Sequence, residues 1–255
     1  VLQLADQLEA AGVESVLLLY GGKAIFKNGV YTQVADALTK KGIAFPELGG
    51  VRPNPRIDKV REAVARIKAS PVDAIVPVGG GSVFDSAKAV AAGACHDGDP
   101  WDFFEGREVE RALPIFGVLT ASATSSEVNG IAVVSNPEKE AKTSMNSPLL
   151  YPRVSAIDPS FQFSLPETQT VYGGIDIMAH VLERVLDGDE GVEALAAQGV
   201  RRGHEAARPG GGVVDAVLSG CGDAVLGGDQ PHGPGHRDGE GGDDVGVGQV
   251  RVQHG

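Results

Sequence analysis

The stretch Val78 to Lys88, VGGGSVFDSAK, lies between an apolar run, Asp73 to Val78, and a segment with helical spacing, Val83 to Ala94. Three glycines at the end of a strand let a ligand approach the main chain without meeting a Cβ. A helix beginning near Ser82 aims free N–H groups and the positive end of its dipole at the same place. The spacing therefore predicts strand, glycine turn and helix, with the diphosphate of a dinucleotide at the turn. An ordinary glycine-rich βα turn would use the same residues, so the flanking segments have to decide.

Upstream, Leu2, Leu4, Ala5, Leu8 and Ala11 recur at helical spacing and stop at Gly12, a residue suited to a helix C-terminus. Val16 to Tyr20, VLLLY, is a continuous apolar run closed by Gly21 and Gly22, which predicts a strand buried on both faces. Val30, Val34, Ala37 and Leu38 predict a helix before Gly42, and Ile43 to Leu48 a second strand. Gly49 to Pro55, GGVRPNP, reads as loop, and Ile57, Val60, Val64 and Ile67 mark another helix. Downstream, Leu113 to Leu119, Ile131 to Val134 and Val154 to Ile157 are apolar segments rich in β-branched residues, and Pro166 to Leu186 reads as helix. Strands alternate with helices, and parallel neighbours need crossover connections. The fold class is α/β, a Rossmann-like parallel sheet with helices on both faces. Residues 1–160 form the α/β domain and 161–186 begin a helical one.

Residues 187–255 have a different composition. No aromatic residue follows Tyr172, no isoleucine Ile177, no lysine Lys142 and no threonine Thr170; glycine, valine, aspartate, arginine, alanine, histidine and proline fill the space. Glycine at this density opposes helix and strand alike, so the tail is expected to be largely disordered. Its palette is that of G- and C-rich codons, which raises a shifted reading frame beginning between Asp187 and Arg208. Resequencing the coding DNA decides that point.

The formal net charge of −12, with no local basic stripe, disfavours nucleic acid. No apolar run approaches the roughly 20 residues that cross a bilayer, and VLQLADQLEAAG lacks the parts of a signal peptide. The expectation is a soluble, cytoplasmic protein without a membrane partner. Cys95 and Cys221 supply neither a disulfide framework nor a CxxC pair, so reduced thiols are the simpler reading.

Two further groups carry chemistry. Thr120 to Glu127, TASATSSE, follows the run LPIFGVLT, and small hydroxyl residues there can bond phosphate, ribose or a carboxamide. Serine and threonine also favour loops and helix caps for their own sake. Asp176 and His180, in GGIDIMAH, stand at i and i+4 on a predicted helix and project from one face. Carboxylate and imidazole suit Fe(II), Zn(II) or Mn(II), although a stable site needs one or two more ligands. An exposed acid and imidazole pair would show the same spacing.

Taken together, GGVRPNP, VGGGSVFDSAK, LPIFGVLTASATSSEVN, AIDPSF and GGIDIMAHVLE resemble the iron-containing (group III) alcohol dehydrogenases, nearest to the NADPH-dependent butanol dehydrogenase and aldehyde reductase branch. The resemblance covers roughly residues 1–186. It implies a dinucleotide-binding domain followed by an all-helical domain, the dehydroquinate synthase-like architecture, with a metal in the cleft between them. It assigns Gly79, Gly80, Gly81 and Ser82 to the diphosphate, and Asp85 to an acid facing the cofactor. Thr120, Ser122 and Thr124 fall on a second cofactor turn, Lys142 at the nicotinamide ribose, and Asp176 and His180 on the first two ligands of Fe(II) or Zn(II).

NAD-preferring members resemble one another in placing an aspartate after the first strand, where this sequence has Tyr20, Gly21, Gly22 and Lys23. Gly21, Gly22 and Lys23 leave room and positive charge for a 2′-phosphate, so NADP(H) is expected.

The sequence departs from the family at both ends. The family has a strand ahead of the first helix here, which suggests a truncated N-terminus. Its two remaining histidine ligands have no recognisable motif after His180. The later histidines are His204, His232, His236 and His254, and Gly233, Pro234 and Gly235 forbid a helix between the middle two. The implied function is metal-dependent hydride transfer between NADP(H) and a small primary alcohol or aldehyde, in a chain that could pair as a homodimer through its first domain. The rival expectation is a cofactor-binding remnant that does not turn over.

Overall fold

The computed structural model describes residues 2–186, which divide into two units, 2–164 and 165–186. The expectations for the tail, including its four histidines, lie outside the described residues.

In the first unit the strands are β1 (Val16–Tyr20), β2 (Glu47–Leu48), β3 (Ala74–Gly80), β4 (Phe116–Ala121), β5 (Ile131–Asn136), β6 (Ala141–Asn146) and β7 (Val154–Ile157). The helices are α1 (Leu2–Ala10), α2 (Ala24–Lys27), α3 (Val30–Lys40), α4 (Ile57–Ala69) and α5 (Gly81–Ala94). Five strands form a parallel sheet in the order β2-β1-β3-β4-β7. Because side chains alternate across a strand, Leu17, Leu19 and Ile75 enter one core with Val60, Val64, Ala87 and Val90 of α4 and α5. Val16, Leu18, Ala74 and Val76 enter a second core with Leu4, Leu8, Val34 and Leu38 of α1 and α3. Burying one such side chain contributes about 1.5–3 kcal/mol, so helices on both faces are what make the central strands stable. The α/β class is as expected.

From β1 the chain passes to β2 on one side, and β3 then lies on the other. The strand order therefore reverses between β1 and β3. In open α/β sheets such a switch point opens a crevice at the carboxyl ends of the strands.

Three segments differ from expectation, each for a local reason. The second strand shrinks from Ile43–Leu48 to Glu47–Leu48, with a single earlier bridge from Ala44 to Ser15, since Pro46 has no N–H for the ladder. The strand after Leu113 begins at Phe116, beyond Pro114. Ile131–Val134 belongs to a separate antiparallel ribbon of β5 with β6. The connection between these strands, Pro137 to Glu140, is far too short for a parallel crossover, and Glu140 closes it at φ +48°.

The second unit is the helix α6 (Glu167–Leu186). Val171, Ile175, Met178, Leu182 and Leu186 are spaced to form one stripe along it, and all are exposed. Among the described residues no helix is long and apolar enough to cross a membrane.

Candidate dinucleotide site and metal ligands

Parallel pairing brings the carboxyl ends of β1, β3 and β4 to one edge of the sheet. Gly21–Lys23 follows β1, Gly79–Ser82 spans the junction of β3 with α5, and Thr120–Thr124 runs out of the end of β4, the first two flanking the switch point.

Each turn is shaped by what its glycines omit. A Cβ on Gly79 would lie 2.5 Å from Val83 Cγ2, and one on Gly81 would lie 2.2 Å from Thr124 Oγ1. Gly79 thus lets α5 start close against its own strand, while Gly81 lets the β4 turn close over the helix start. The register between β3 and β4 shifts between Gly79 and Gly80. Gly80 caps α5 with extended backbone and no side-chain hydrogen bond. The first-turn N–H groups of α5 have no intrahelical acceptor, which is the arrangement that receives an anion. Beside β1, Gly21 O accepts from Gly50 N at 2.8 Å, and a Cβ on Gly21 would lie 3.3 Å from Val51 O. Gly22 and Lys23 are exposed at this edge.

The acid that opens β2, opposite Leu18 of β1, is engaged. Glu47 accepts from the Tyr20 hydroxyl at 3.1 Å and from the Tyr31 hydroxyl in a short bond. That bond, then burial, pushes the Tyr31 phenol up to about 12, and burial followed by Glu47 raises Tyr20.

The other anticipated residues are held by internal partners. Ser122 N donates to Gln162 Oε1 at 3.3 Å, and its Oγ accepts from Gln162 Nε2 at 3.0 Å. Lys142 Nζ donates to Asn54 Oδ1 at 2.7 Å, tying β6 to the RPNP loop. Asp85, expected to face the cofactor, has its Oδ1 accepting from Ser126 Oγ at 2.7 Å and its Oδ2 from Val133 N at 3.2 Å. Burial pushes the Asp85 carboxyl up, while those two donors and Lys88 oppose the shift.

Sequence reasoning passed over Lys88, which is fully buried. Its Nζ donates to Ser126 Oγ at 2.8 Å, Asn129 Oδ1 at 2.9 Å and Ile131 O at 2.8 Å. Burial pushes this ammonium down to about 8, against the pull of Asp85 and Glu127. Glu127 is itself raised by burial, and its Oε2 is enclosed with no hydrogen-bond partner among the described residues. The signal available in the sequence was the i, i+3 spacing of Asp85 and Lys88.

On α6, His180 Nε2 lies 3.7 Å from Asp176 Oδ2, and its Nδ1 lies 3.6 Å from Glu183 Oε2. All three side chains are exposed. Asp176 and His180 do share a face, and Glu183 is a neighbour that sequence reasoning did not single out. No group of three or more histidine, cysteine, aspartate or glutamate residues is arranged to hold a metal among the described residues. Asp176 and His180 fit an ion as part of a donor set, short of the three or four protein ligands that hold one firmly.

Comparisons place these features among known proteins. The pattern of the family described as iron-containing alcohol dehydrogenase matches residues 1–159. A probable NADH-dependent butanol dehydrogenase of Bacillus subtilis is 44% identical over 183 residues, covering 71% of this chain and 47% of that protein. An NADPH-dependent aldehyde reductase of Escherichia coli is 37% identical over 175 residues, covering 67% of this chain and 45% of its own. The crystal structure of NADH-dependent butanol dehydrogenase A from Thermotoga maritima superposes with a TM-score of 0.69 at 54% identity, covering 71% of this chain and 46% of that one. The chain spans about half the length of these relatives.

Proposed function

The chain belongs to the iron-containing alcohol dehydrogenase family, and from that premise we propose that it binds NADP(H) across the ends of β1, β3 and β4 for hydride transfer with a small primary alcohol or aldehyde. The carrying observation is the alignment of three turns on adjacent strand ends around the switch point, with the side-chain-free start of α5 in the middle. In this reading the first-turn amides of α5 receive the diphosphate. The adenosine half extends toward β1 and the nicotinamide half toward β4, because those strands lie on either side of β3.

Selectivity is argued from residues, since the relatives' names divide between NADH and NADPH. A ribose 2′-hydroxyl is usually held by a carboxylate near this edge. Here Glu47 is engaged by two tyrosines, and the exposed Lys23 offers a cation to a 2′-phosphate. The protein's task is to orient the nicotinamide and exclude water. Asp176 and His180 would hold part of the shell of an Fe(II) or Zn(II) ion, which when bound supplies Lewis acidity toward the substrate oxygen.

Fluorescence titration of NADPH and NADH tests the cofactor half: NADPH binds more tightly, and Lys23→Ala removes most of the difference. Binding of neither nucleotide overturns the reading. Aldehyde-dependent NADPH oxidation, measured after chelation and again with Fe(II) or Zn(II) restored, tests the reaction. Nucleotide binding without turnover under any metal condition refutes activity of this chain and favours the remnant.

A further inference from the structure

The turn after β4 is not held by its own backbone preferences. Ser125 sits at φ +53°, a left-handed conformation that a serine adopts at a cost. Gln162 holds Ser122, and Ser155 Oγ donates to Glu127 O at 2.7 Å; the other ties on the segment come from α5. Asp85 and Lys88, three residues apart on that helix, bracket Ser126: the Ser126 hydroxyl donates to Asp85 Oδ1 while accepting from Lys88 Nζ. Lys88 spends its other two N–H bonds on Asn129 and on Ile131 O, where β5 begins. An ammonium has three donors, and all three go to the 126–131 segment. Two residues before Ser126, Thr124 lies against Gly81 at the first turn of the same helix.

The same helix thus begins at the proposed diphosphate seat and, two turns later, ties down residues 126–131, which lead out of the turn proposed for the nicotinamide half. A lysine wholly withdrawn from water is costly unless it is fully paired. Nothing in the packing of α5 requires a lysine there, since Ala87, Ala89 and Val90 beside it fill the core with apolar groups.

We propose that Lys88 is a positioning residue that acts through Ser126 and Asn129 to set the spacing between the diphosphate turn and the β4 turn, and so governs affinity for the nicotinamide half of the cofactor. This rests on the cofactor reading above. The distinctive expectation is a split between ligands. 2′,5′-ADP spans only the β1 and β3 side of the seat, whereas NADPH also needs the β4 turn at its proper distance.

The test is titration of both ligands against the unaltered chain, Lys88→Met and Ser126→Ala, with thermal melting of each protein alone. Ser126→Ala removes one hydroxyl from the network, and it serves should Lys88→Met not fold. The expected result is an NADPH Kd raised about tenfold in each folded variant, with the 2′,5′-ADP Kd changed less than twofold. Equal losses for both ligands would mean general damage, and unchanged NADPH binding would mean that the network does not reach the cofactor; either overturns the proposal. Failure of the unaltered chain to bind either ligand defeats the cofactor reading, and the proposal with it, before any variant is compared.

Discussion

Replacing Gly117 with alanine should unsettle the packing that fixes α5 against β4. A Cβ built at Gly117 lies 2.2 Å from Phe84 Cε1 and 2.3 Å from its Cζ. To restore an ordinary separation of about 3.4 Å the ring must retreat by about 1.2 Å, and Phe84 is fully buried, with no solvent side to move toward. Overpacking of this kind costs about 1–3 kcal/mol. Alanine recovers about 0.5–1 kcal/mol over glycine in a strand interior, leaving a net loss of about 0–2.5 kcal/mol. At about 2–4 °C per kcal/mol for a chain of this size, Tm should fall by up to about 10 °C. Urea unfolding measures the same loss independently. The diagnostic comparison is Phe84→Leu, which removes the ring atoms in question. In that background Gly117→Ala should cost little further, giving a coupling of at least about 1 kcal/mol. Strict additivity of the two substitutions would refute the claim that Phe84 and Gly117 set the distance between helix and strand.

Other perturbations give separate readings. Asp73 Oδ2 accepts from Glu14 N, Ser15 N and Ser15 Oγ, and these bonds hold its carboxyl below the usual range. Its contribution is therefore present above the ordinary carboxylate pKa and lost as pH falls through the depressed folded value. Asp73→Asn should cost about 1 kcal/mol or less near neutral pH, because the group is exposed, and the difference should vanish in acid melts. Lys88 runs the other way. Burial lowers it from 10.5 to about 8, so between those values the unfolded chain binds the extra proton and rising pH favours the folded state. Urea unfolding from pH 7.5 to 9.5 should show that gain in the unaltered chain and not in Lys88→Met; parallel profiles would mean Lys88 is not the group responsible. Gly81→Ala should displace Thr124, a side chain exposed enough to move, so NADPH affinity should drop severalfold while Tm shifts by no more than a degree or two.

The elements legible from sequence were those whose signal is local. VLLLY and AIVPVGG announce buried parallel strands because both faces are apolar, and Ile57, Val60, Val64 and Ile67 mark α4 through their spacing. The strand β6, AKTSMN, was not legible: it is polar, only Met145 is buried, and it exists because a short connection folds it onto β5. The truncation of β2 was predictable from Pro46 alone. At the site, the glycine turns could be read from composition, because the absence of side chains is itself visible in a sequence. Lys88 could not, since a helical lysine is ordinarily solvated and its three acceptors lie about forty residues further along the chain. Glu47 escaped notice for the same reason, its tyrosine partners being set by the pairing of β1 with β2 and by α3 packing over them.

At the start of α5 the chain is constrained by atoms it must lack. Gly79 leaves no space for a methyl group and Gly81 has room for one only if Thr124 moves aside, while the proposed anchoring groups between them are main-chain amides that nearly any residue would supply. A map of mutational tolerance across this edge should therefore be lopsided, with additions costing stability at Gly79 and nucleotide affinity at Gly81 while most exchanges of one side chain for another nearby are absorbed. Recognition of that kind can persist while the surrounding residues drift, because it stores its information in vacancies rather than in functional groups.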